Sequence, residues 1–126
     1  MNVNKDNVIV EKTKAFALRI IKLYRYLREE KGEYVLSKQV LKSGTSIGAN
    51  IREAQYAHGK PDFISKLQIA LKEASETGYW IELLYKTGYI DAQTYKALDS
   101  SCSSIRVMLI SSINTSKESH EGEKTR

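Results

Sequence analysis

The stretches SGTSIGANIREA (residues 43–54) and DFISKLQIALKEASETGYWIELL (residues 62–84) decide the fold of this chain. The first places two glycines, three hydroxyl residues and one asparagine within a segment that otherwise reads as a helix. Glycine inside a helix costs about 1 kcal/mol relative to alanine, so a chain keeps it where a second helix must approach closely. We therefore expect the closest helix crossing at Gly44 and Gly48. Asn50 is expected on the inner face of the same helix, where its hydrogen bonds would set the register between helices.

Apolar spacing and turn residues predict four helices, at 7–31, 37–58, 61–87 and 91–114, with breaks near 32–36, 59–61 and 88–90. Ser37 and Asp91 are the expected caps of helices 2 and 4, and Pro61 suits the first turn of helix 3. Short connections favour antiparallel neighbours. The predicted fold class is all-α, an up-and-down antiparallel four-helix bundle in one domain over residues 1–114. Residues 115–126 contain no apolar residue and are expected to form a disordered polar tail.

One apolar stripe per helix is expected to build the core, because residues three and four apart share a helix face. The predicted inward positions are Phe16, Ile20, Leu23 and Leu27 in helix 1; Val40, Ser43, Ile47, Ile51 and Ala54 in helix 2; Phe63, Leu67, Ala70, Ala74, Thr77, Ile81 and Leu84 in helix 3; and Tyr95, Leu98, Cys102, Ile105, Leu109 and Ser112 in helix 4.

The charge balance is basic, with 20 Lys and Arg against 15 Asp and Glu in 126 residues and a net charge of +5. The excess lies in the first half of the chain, and a basic excess favours polyanionic partners. It is also common in proteins that bind no nucleic acid. The single cysteine, Cys102, is expected to be a small buried hydrophobe. No signal-peptide pattern and no apolar run of membrane length occur, so we expect a cytoplasmic protein without a membrane segment.

The residues offer no catalytic or metal-binding constellation. A di-metal site in a helical bundle needs inward glutamates and Glu-x-x-His pairs, but neither His58 nor His120 has a glutamate three residues before it. His58 is expected to face the core, and GTSIG lies within a helix and lacks the lysine of a phosphate loop. The sequence therefore predicts a non-enzymatic protein with no metal, no cofactor and no small-molecule substrate.

Two kinds of surface feature remain. Basic side chains project away from the predicted core and could follow a phosphate backbone, although an ordinary solvated surface explains them equally well. These nucleic-acid-binding candidates are Lys14, Lys22, Arg25 and Arg28 in helix 1 and Lys38 and Lys42 in helix 2. Leu18, Ile21 and Tyr79 are apolar residues outside the core stripes, which makes them candidates for a subunit interface.

The segments SKQVLKSGTSIGANIREA and DFISKLQIALKEASETGYWIELL resemble the signature helices of a known family. Its members are four-helix bundle proteins encoded in intervening sequences of bacterial 23S ribosomal RNA genes. The accessory variability determinant of diversity-generating retroelements is a related branch. The resemblance implies a homopentamer. For the retroelement branch it also implies nucleic-acid binding and a reverse transcriptase partner.

The family signature also includes polar positions that packing within one subunit does not explain. Arg52, Glu53, Glu73 and Glu76 match the signature but point away from the core stripes, and we interpret them as an ion-pair set between subunits. The function that follows is an oligomeric helical scaffold with non-specific RNA or DNA binding through a basic face. The alternative is a protein–protein interaction module that binds no nucleic acid.

Overall fold

Helices make up almost all of the chain in a computed structural model, which describes residues 3–124 and the side chains of residues 8–124. The helices are α1 (Val3–Glu29), α2 (Leu36–Ala54), α3 (Lys60–Lys86) and α4 (Ala92–Lys124), and no strand occurs in this range. Each helix packs extensively against the next one in the chain. The predicted all-α fold class with four bundled helices is therefore confirmed.

The connections between helices fall near the predicted breaks. Gly59 and Gly88 have φ angles of 88° and 84°, a left-handed conformation that glycine adopts without a steric penalty. Pro61 lies in the first turn of α3, and Asp91 caps α4 by accepting the backbone N–H of Thr94 at 2.7 Å. These local signals depend only on neighbouring residues, which is why the sequence alone located them.

The start of α2 differs from the prediction, because Glu33 rather than Ser37 provides the cap. The Glu33 carboxylate accepts backbone N–H groups from Val35 at 3.3 Å, Leu36 at 3.1 Å and Ser37 at 2.8 Å. Ser37 lies inside the helix, fully buried, and its hydroxyl donates to the carbonyl of Glu33 at 2.9 Å. The turn before α2 thus folds back on the helix and supplies the acceptors that the free N–H groups need.

The predicted core stripes are confirmed almost throughout. Phe16, at 2% exposure, and the fully buried Ile20, Ile47, Ile81 and Leu84 are among the side chains that fill the centre of the bundle. Two positions, Phe63 and Tyr95, are only half-buried, and Ile64 is buried beside Phe63 instead. Both half-buried aromatics lie near the beginning of a helix, and the ring of Tyr95 stacks on that of Tyr85 with 4.5 Å between the ring centres.

The predicted close crossing lies between α1 and α2. A Cβ atom added to Gly44 would lie 2.9 Å from both Cγ1 and Cγ2 of Ile20. One added to Gly48 would lie 3.4 Å from the Thr13 hydroxyl oxygen. The absence of a side chain at these positions lets the backbone of α2 approach α1, as the sequence predicted.

The opposite side of α1 is packed differently. α1 packs much more sparsely against α4 than consecutive helices pack against each other, so the bundle is open along this seam. The result is a groove between α1 and α4 that continues over several helical turns.

The expectation of a disordered tail is wrong for residues 115–124, because α4 continues to Lys124. Ser116 is buried at 6% exposure, and the Lys60 ammonium lies 2.6 Å from the Ser119 hydroxyl and 2.9 Å from the Glu123 carboxylate. The extension therefore packs beside the beginning of α3 through small and polar side chains, which an apolar periodicity does not detect. Residues 125–126, also assigned to the tail, lie outside the described residues.

Candidate functional site

The predicted basic candidates do not form one continuous surface. Lys14, Lys22, Arg25, Lys38 and Lys42 are exposed, as expected. At 100° per residue, however, they spread around the outer half of α1 and over α2. Lys14 and Arg25 point outward, whereas Lys22 lies on the side of α1 that faces α4.

Arg28 differs from the other candidates because aromatic rings surround it. Its guanidinium carbon lies 5.3 Å from the ring centre of Tyr24 and 4.9 Å from that of Tyr34. A cation in such a position is held by the electron-rich faces of the rings. Arg28 is therefore half-buried and connects α1 with the turn before α2, so it has a structural role within the subunit.

Two further cations, Lys12 and Arg19, were missed by the sequence analysis. They lie on the flank of α1 that faces α4, where the Lys12 ammonium is 3.3 Å from the Ser104 hydroxyl and the Arg19 guanidinium is 2.9 Å from the Ser101 hydroxyl. Both residues adjoin the core stripe in helical phase, so they did not stand out as part of an outer face. The serine cluster of α4 was the sequence feature that could have indicated a polar groove beside these two cations.

A surface groove follows the open seam between α1 and α4 beside these cations. One part, of about 640 Å³, is lined by residues that include Arg19, Lys22, Tyr26, Asp91 and Thr94. A second part, of about 330 Å³, continues past Lys12 and the serines of α4. The groove thus combines positive charge and hydroxyl groups with a lining that is otherwise mostly apolar, from side chains such as Leu23, Ile90 and Leu98.

The apolar interface candidates are placed mostly as predicted. Leu18 is 62% exposed and Tyr79 is 55% exposed, whereas Ile21 is half-buried. Val107 and Ile110, one turn apart in α4, are also exposed and were not singled out from the sequence. Exposed apolar side chains therefore occur on more than one side of the bundle.

The signature residue Asn50 does not bridge two helices. Its amide nitrogen donates to the carbonyl and hydroxyl oxygens of Ser46, at 2.9 and 3.1 Å, one turn earlier in α2. The expectation that Asn50 sets the register between helices is therefore wrong, because these hydrogen bonds are local. Asn50 is half-buried at the surface that α2 shares with α3.

The acidic signature residues lie near Asn50 on the outer surface of α2 and α3. Glu53 forms an ion pair with Lys66 of α3 at 3.2 Å, so it already has a partner within the subunit. Glu76 accepts the indole N–H of Trp80 at 3.3 Å, and Glu73 is half-buried. Arg52 is exposed on the opposite flank of α2, facing α1.

Two outer faces of opposite charge can therefore be defined. The basic face lies on α1 and α2 and comprises Lys14, Leu18, Ile21, Arg25, Lys42 and Arg52. The acidic face lies on α2 and α3 and comprises Asn50, Glu53, Ile69, Glu73, Glu76, Tyr79 and Trp80. Lys14 and Arg52 line one groove between α1 and α2, and the Glu53–Lys66 ion pair joins α2 to α3 on the other side. Lys14 also pairs with Glu11 at 3.9 Å. Lys42 and Glu53, eleven residues apart, point in nearly the same direction from α2, so the two faces adjoin there.

Cys102 and His58, two titratable side chains considered in the sequence, lie in different surroundings. Cys102 is buried, its thiol donates to the Ala74 carbonyl at 3.1 Å, and burial raises the pKa of the thiol to about 11. The protonated thiol is a poor nucleophile. His58 was expected to face the core but is exposed, because α2 ends at Ala54. No group of three or more potential metal ligands occurs among the described residues, and none of their helices is long and apolar enough to cross a membrane.

Comparison with known proteins assigns the fold to a family. The model of the 23S rRNA-intervening sequence protein family matches residues 5–111. A crystal structure of a protein of unknown function from the S23 ribosomal protein family of Bacteroides thetaiotaomicron is similar, with a TM-score of 0.86 and 54% sequence identity. The similarity covers 87% of this chain and 98% of that chain. No curated protein matches the sequence. Because the match extends over most of the chain, this protein belongs to the 23S rRNA-intervening sequence protein family.

Proposed function

We propose that this protein is a non-enzymatic helical scaffold that assembles with copies of itself and binds nucleic acid without sequence specificity. The observation that carries the assembly is the pair of outer faces with opposite charge, each of which also exposes apolar side chains. The resemblance to the family suggests five subunits. The competing function is a protein-interaction module that binds no nucleic acid.

The basic face has the shape and chemistry of one half of a subunit contact. Lys14 and Arg52 border a shallow groove of about 540 Å³ whose floor includes Ala17, Thr45 and Ala49. Small residues at the floor allow a partner's side chains to enter between α1 and α2. Leu18, at 62% exposure, adds an apolar side chain that would gain from burial.

The acidic face offers the complementary half. Ile69 is 40% exposed, and the rings of Tyr79 and Trp80 lie 5.2 Å apart beside the carboxylates of Glu73 and Glu76. Aromatic side chains are enriched at protein interfaces because they bury a large area and still hold a polar group. Lys14 and Arg52 of one subunit would meet these carboxylates and rings in the next.

A contact between two different faces leads to a head-to-tail assembly. Such a contact forms a ring when the rotation from one subunit to the next closes, and a filament when it does not. Each subunit presents both faces on one bundle, so every copy can contact two neighbours. A closed ring of five is the arrangement that the family resemblance favours.

Nucleic-acid binding is the second part of the proposal, and the distribution of charge supports it. The net charge is +5, and most of the excess lies in the first half of the chain. A ring multiplies this charge, so that several weak contacts act together on one polymer and raise its apparent affinity. Contacts of this kind position a phosphate backbone but do not read its sequence.

Charge reversal tests the assembly. Light scattering of the wild-type protein at micromolar concentration is expected to give a multiple of 14.3 kDa. Arg52→Glu and Glu73→Arg should each shift the mass towards the monomer, because each places like charges together across the contact. The double variant, with both faces reversed, should recover the wild-type mass.

Lys96→Glu, an exposed charge reversal on α4 outside both faces, is the matched control and should leave the mass unchanged. A monomeric wild type, or single variants that assemble normally, would contradict the proposal.

A further inference from the structure

The open seam between α1 and α4 distinguishes this bundle from one closed on all sides. α1 packs tightly on α2 but touches α4 sparsely, which leaves a continuous groove. This groove lies on the opposite flank of α1 from the interhelical groove of the basic face. A subunit contact made through the basic face would therefore leave it open to a ligand.

Three cations line the α1 side of the groove, namely Lys12, Arg19 and Lys22. Among the described side chains, none of the three forms an ion pair with a carboxylate. Lys12 and Arg19 instead donate to the hydroxyls of Ser104 and Ser101. Their charges are therefore not neutralised by a direct ion pair among the described side chains, although Asp91 lines the same part of the groove as Arg19 and Lys22.

The α4 side of the groove supplies neutral donors. Ser100, Ser101 and Ser104 face Lys12 and Arg19, and Gln93 and Thr94 follow towards the beginning of α4. A serine hydroxyl that accepts a hydrogen bond from a cation still has its own proton to donate. Cations, hydroxyls and amides are the side chains that contact phosphate and sugar oxygens in protein–nucleic acid complexes. A carboxylate ligand has fewer acceptor positions and no repeat along its length.

The length of the groove suits a chain of several phosphates. Lys12 and Lys22 are ten residues apart, which is about 15 Å along a helix at 1.5 Å per residue. A stacked strand rises about 3.4 Å per nucleotide along its axis, and its successive phosphates lie farther apart than this rise, so at most about four phosphates span this distance. Repeated negative charge therefore matches the repeated cations better than a single phosphate would.

One end of the groove could hold a base. Tyr26 lines this end together with Leu23 and is 41% exposed, and the Lys31 ammonium lies 5.9 Å from its ring centre. An exposed ring next to cations is a stacking platform for an unpaired base. Asp91 is the carboxylate at this end. It accepts the backbone N–H of Thr94 and caps α4, and because that hydrogen bond lowers the pKa of Asp91, its negative charge offsets part of the positive charge here.

We propose that the groove between α1 and α4 binds the sugar–phosphate backbone of single-stranded nucleic acid, with Lys12, Arg19 and Lys22 on the phosphates and Tyr26 under a base. This assignment rests on the nucleic-acid-binding part of the proposed function and names its site. The bases of a duplex are stacked and paired, so a single strand is the form that can place a base on Tyr26 while its phosphates lie along the cations.

The test is fluorescence anisotropy with a labelled 20-nucleotide oligo(U) and the corresponding duplex RNA over a series of salt concentrations. The groove variant is Lys12→Ala with Arg19→Ala, and the matched control is Lys96→Ala with Lys117→Ala on α4, outside the groove and both outer faces. Both variants remove two positive charges from exposed positions. We expect the groove variant to bind oligo(U) at least tenfold more weakly. The slope of log K against log salt should fall by about 1.4, or about 0.7 for each phosphate that the variant no longer neutralises.

Two substitutions of Tyr26 test the stacking platform: Tyr26→Phe keeps an aromatic ring, and Tyr26→Ala removes it. Phenylalanine should bind nearly as well as tyrosine, while alanine should weaken binding to the single strand by about tenfold and leave duplex binding unchanged. Thermal unfolding of each variant controls for loss of the fold. If Tyr26→Phe loses as much affinity as Tyr26→Ala, the stacking role is wrong.

The possible results of these experiments distinguish a wrong groove assignment from a wrong proposed function. No binding of oligo(U) by the wild type at low salt would overturn the nucleic-acid part of the proposed function, and the groove assignment with it. Binding of oligo(U) that is as strong in the groove variant as in the wild type would keep the function and overturn the groove. If the groove variant changes the assembled mass in light scattering but not the affinity for oligo(U), the groove is a subunit contact instead, and the proposal is wrong.

Discussion

The two sides of α1 differ in how closely they are packed. Towards α2, glycine faces a fully buried isoleucine, and an added Cβ atom at Gly44 would lie only 2.9 Å from the side chain of Ile20. Towards α4, lysine and arginine face serines across an open groove. One helix thus has a structural side, where space is scarce, and an accessible side, where polar groups remain available. Stability should depend on the first and binding on the second.

Gly44→Leu should have the largest effect on stability. Its side chain would enter space that Ile20 already fills, so we expect the free energy of unfolding to fall by about 3 kcal/mol through overpacking. Urea denaturation measures this change. Gly48→Leu is the matched comparison and should cost less, because its nearest contact is the Thr13 hydroxyl at 3.4 Å. Equal midpoints for the wild type and Gly44→Leu would show that the α1–α2 crossing is not tightly packed.

Glu33→Gln should have an intermediate effect, because it weakens the turn that joins α1 to α2. Burial opposes ionisation of Glu33, but hydrogen bonds from the N–H groups of Ser37, Leu36 and Val35 outweigh it and lower the pKa below 4.5. A lowered pKa in the folded state means that the carboxylate stabilises the fold above its unfolded pKa and loses this effect as the pH falls.

At pH 7 we expect Glu33→Gln to lower the free energy of unfolding by about 1 kcal/mol, as for the loss of a helix cap. The difference from the wild type should shrink as the pH falls through the folded pKa of Glu33. Urea denaturation at pH 7 and pH 3 gives both values. A difference that stays constant between these pH values would show that the charge of Glu33 has no part in capping α2.

Ala97→Leu should have the smallest effect, because it adds a larger side chain to the open side of α1. Ala97 is exposed and lines the groove between α1 and α4. Substitutions at such sites usually change stability by less than about 0.5 kcal/mol. The same added leucine that is costly at Gly44 should therefore be tolerated here. A loss of stability comparable with that of Gly44→Leu would show that α1 and α4 are closely packed in solution.

Local and periodic signals account for most of what could be predicted. Gly59, Pro61 and Asp91 act on their own backbone neighbourhood, so their roles could be inferred from residue type alone. The core stripes follow from the helical repeat, and Gly44 indicated a close crossing. The extension of α4 to Lys124 could not be predicted in this way, because Lys60 and serine packing stabilise it rather than an apolar stripe.

The candidate site was predicted less well than the fold. Leu18 and Tyr79 are exposed as expected, but Arg28 lies between two tyrosines and Glu53 pairs with Lys66. These contacts join residues that helical phase alone cannot relate. Lys12 and Arg19 were missed for the same reason, since their position beside the core stripe becomes meaningful only when α4 stands opposite them.

The sequence by itself determined the number of helices, the approximate breaks between them, their inward faces and the position of the closest crossing. Those properties depend on interactions between residues close in the chain and on the separation of apolar from polar side chains. Only the tertiary structure decided which surfaces stay open. The spacing between α1 and α4 results from the packing of all four helices, and no local pattern encodes how far the first and last helices of a bundle stand apart.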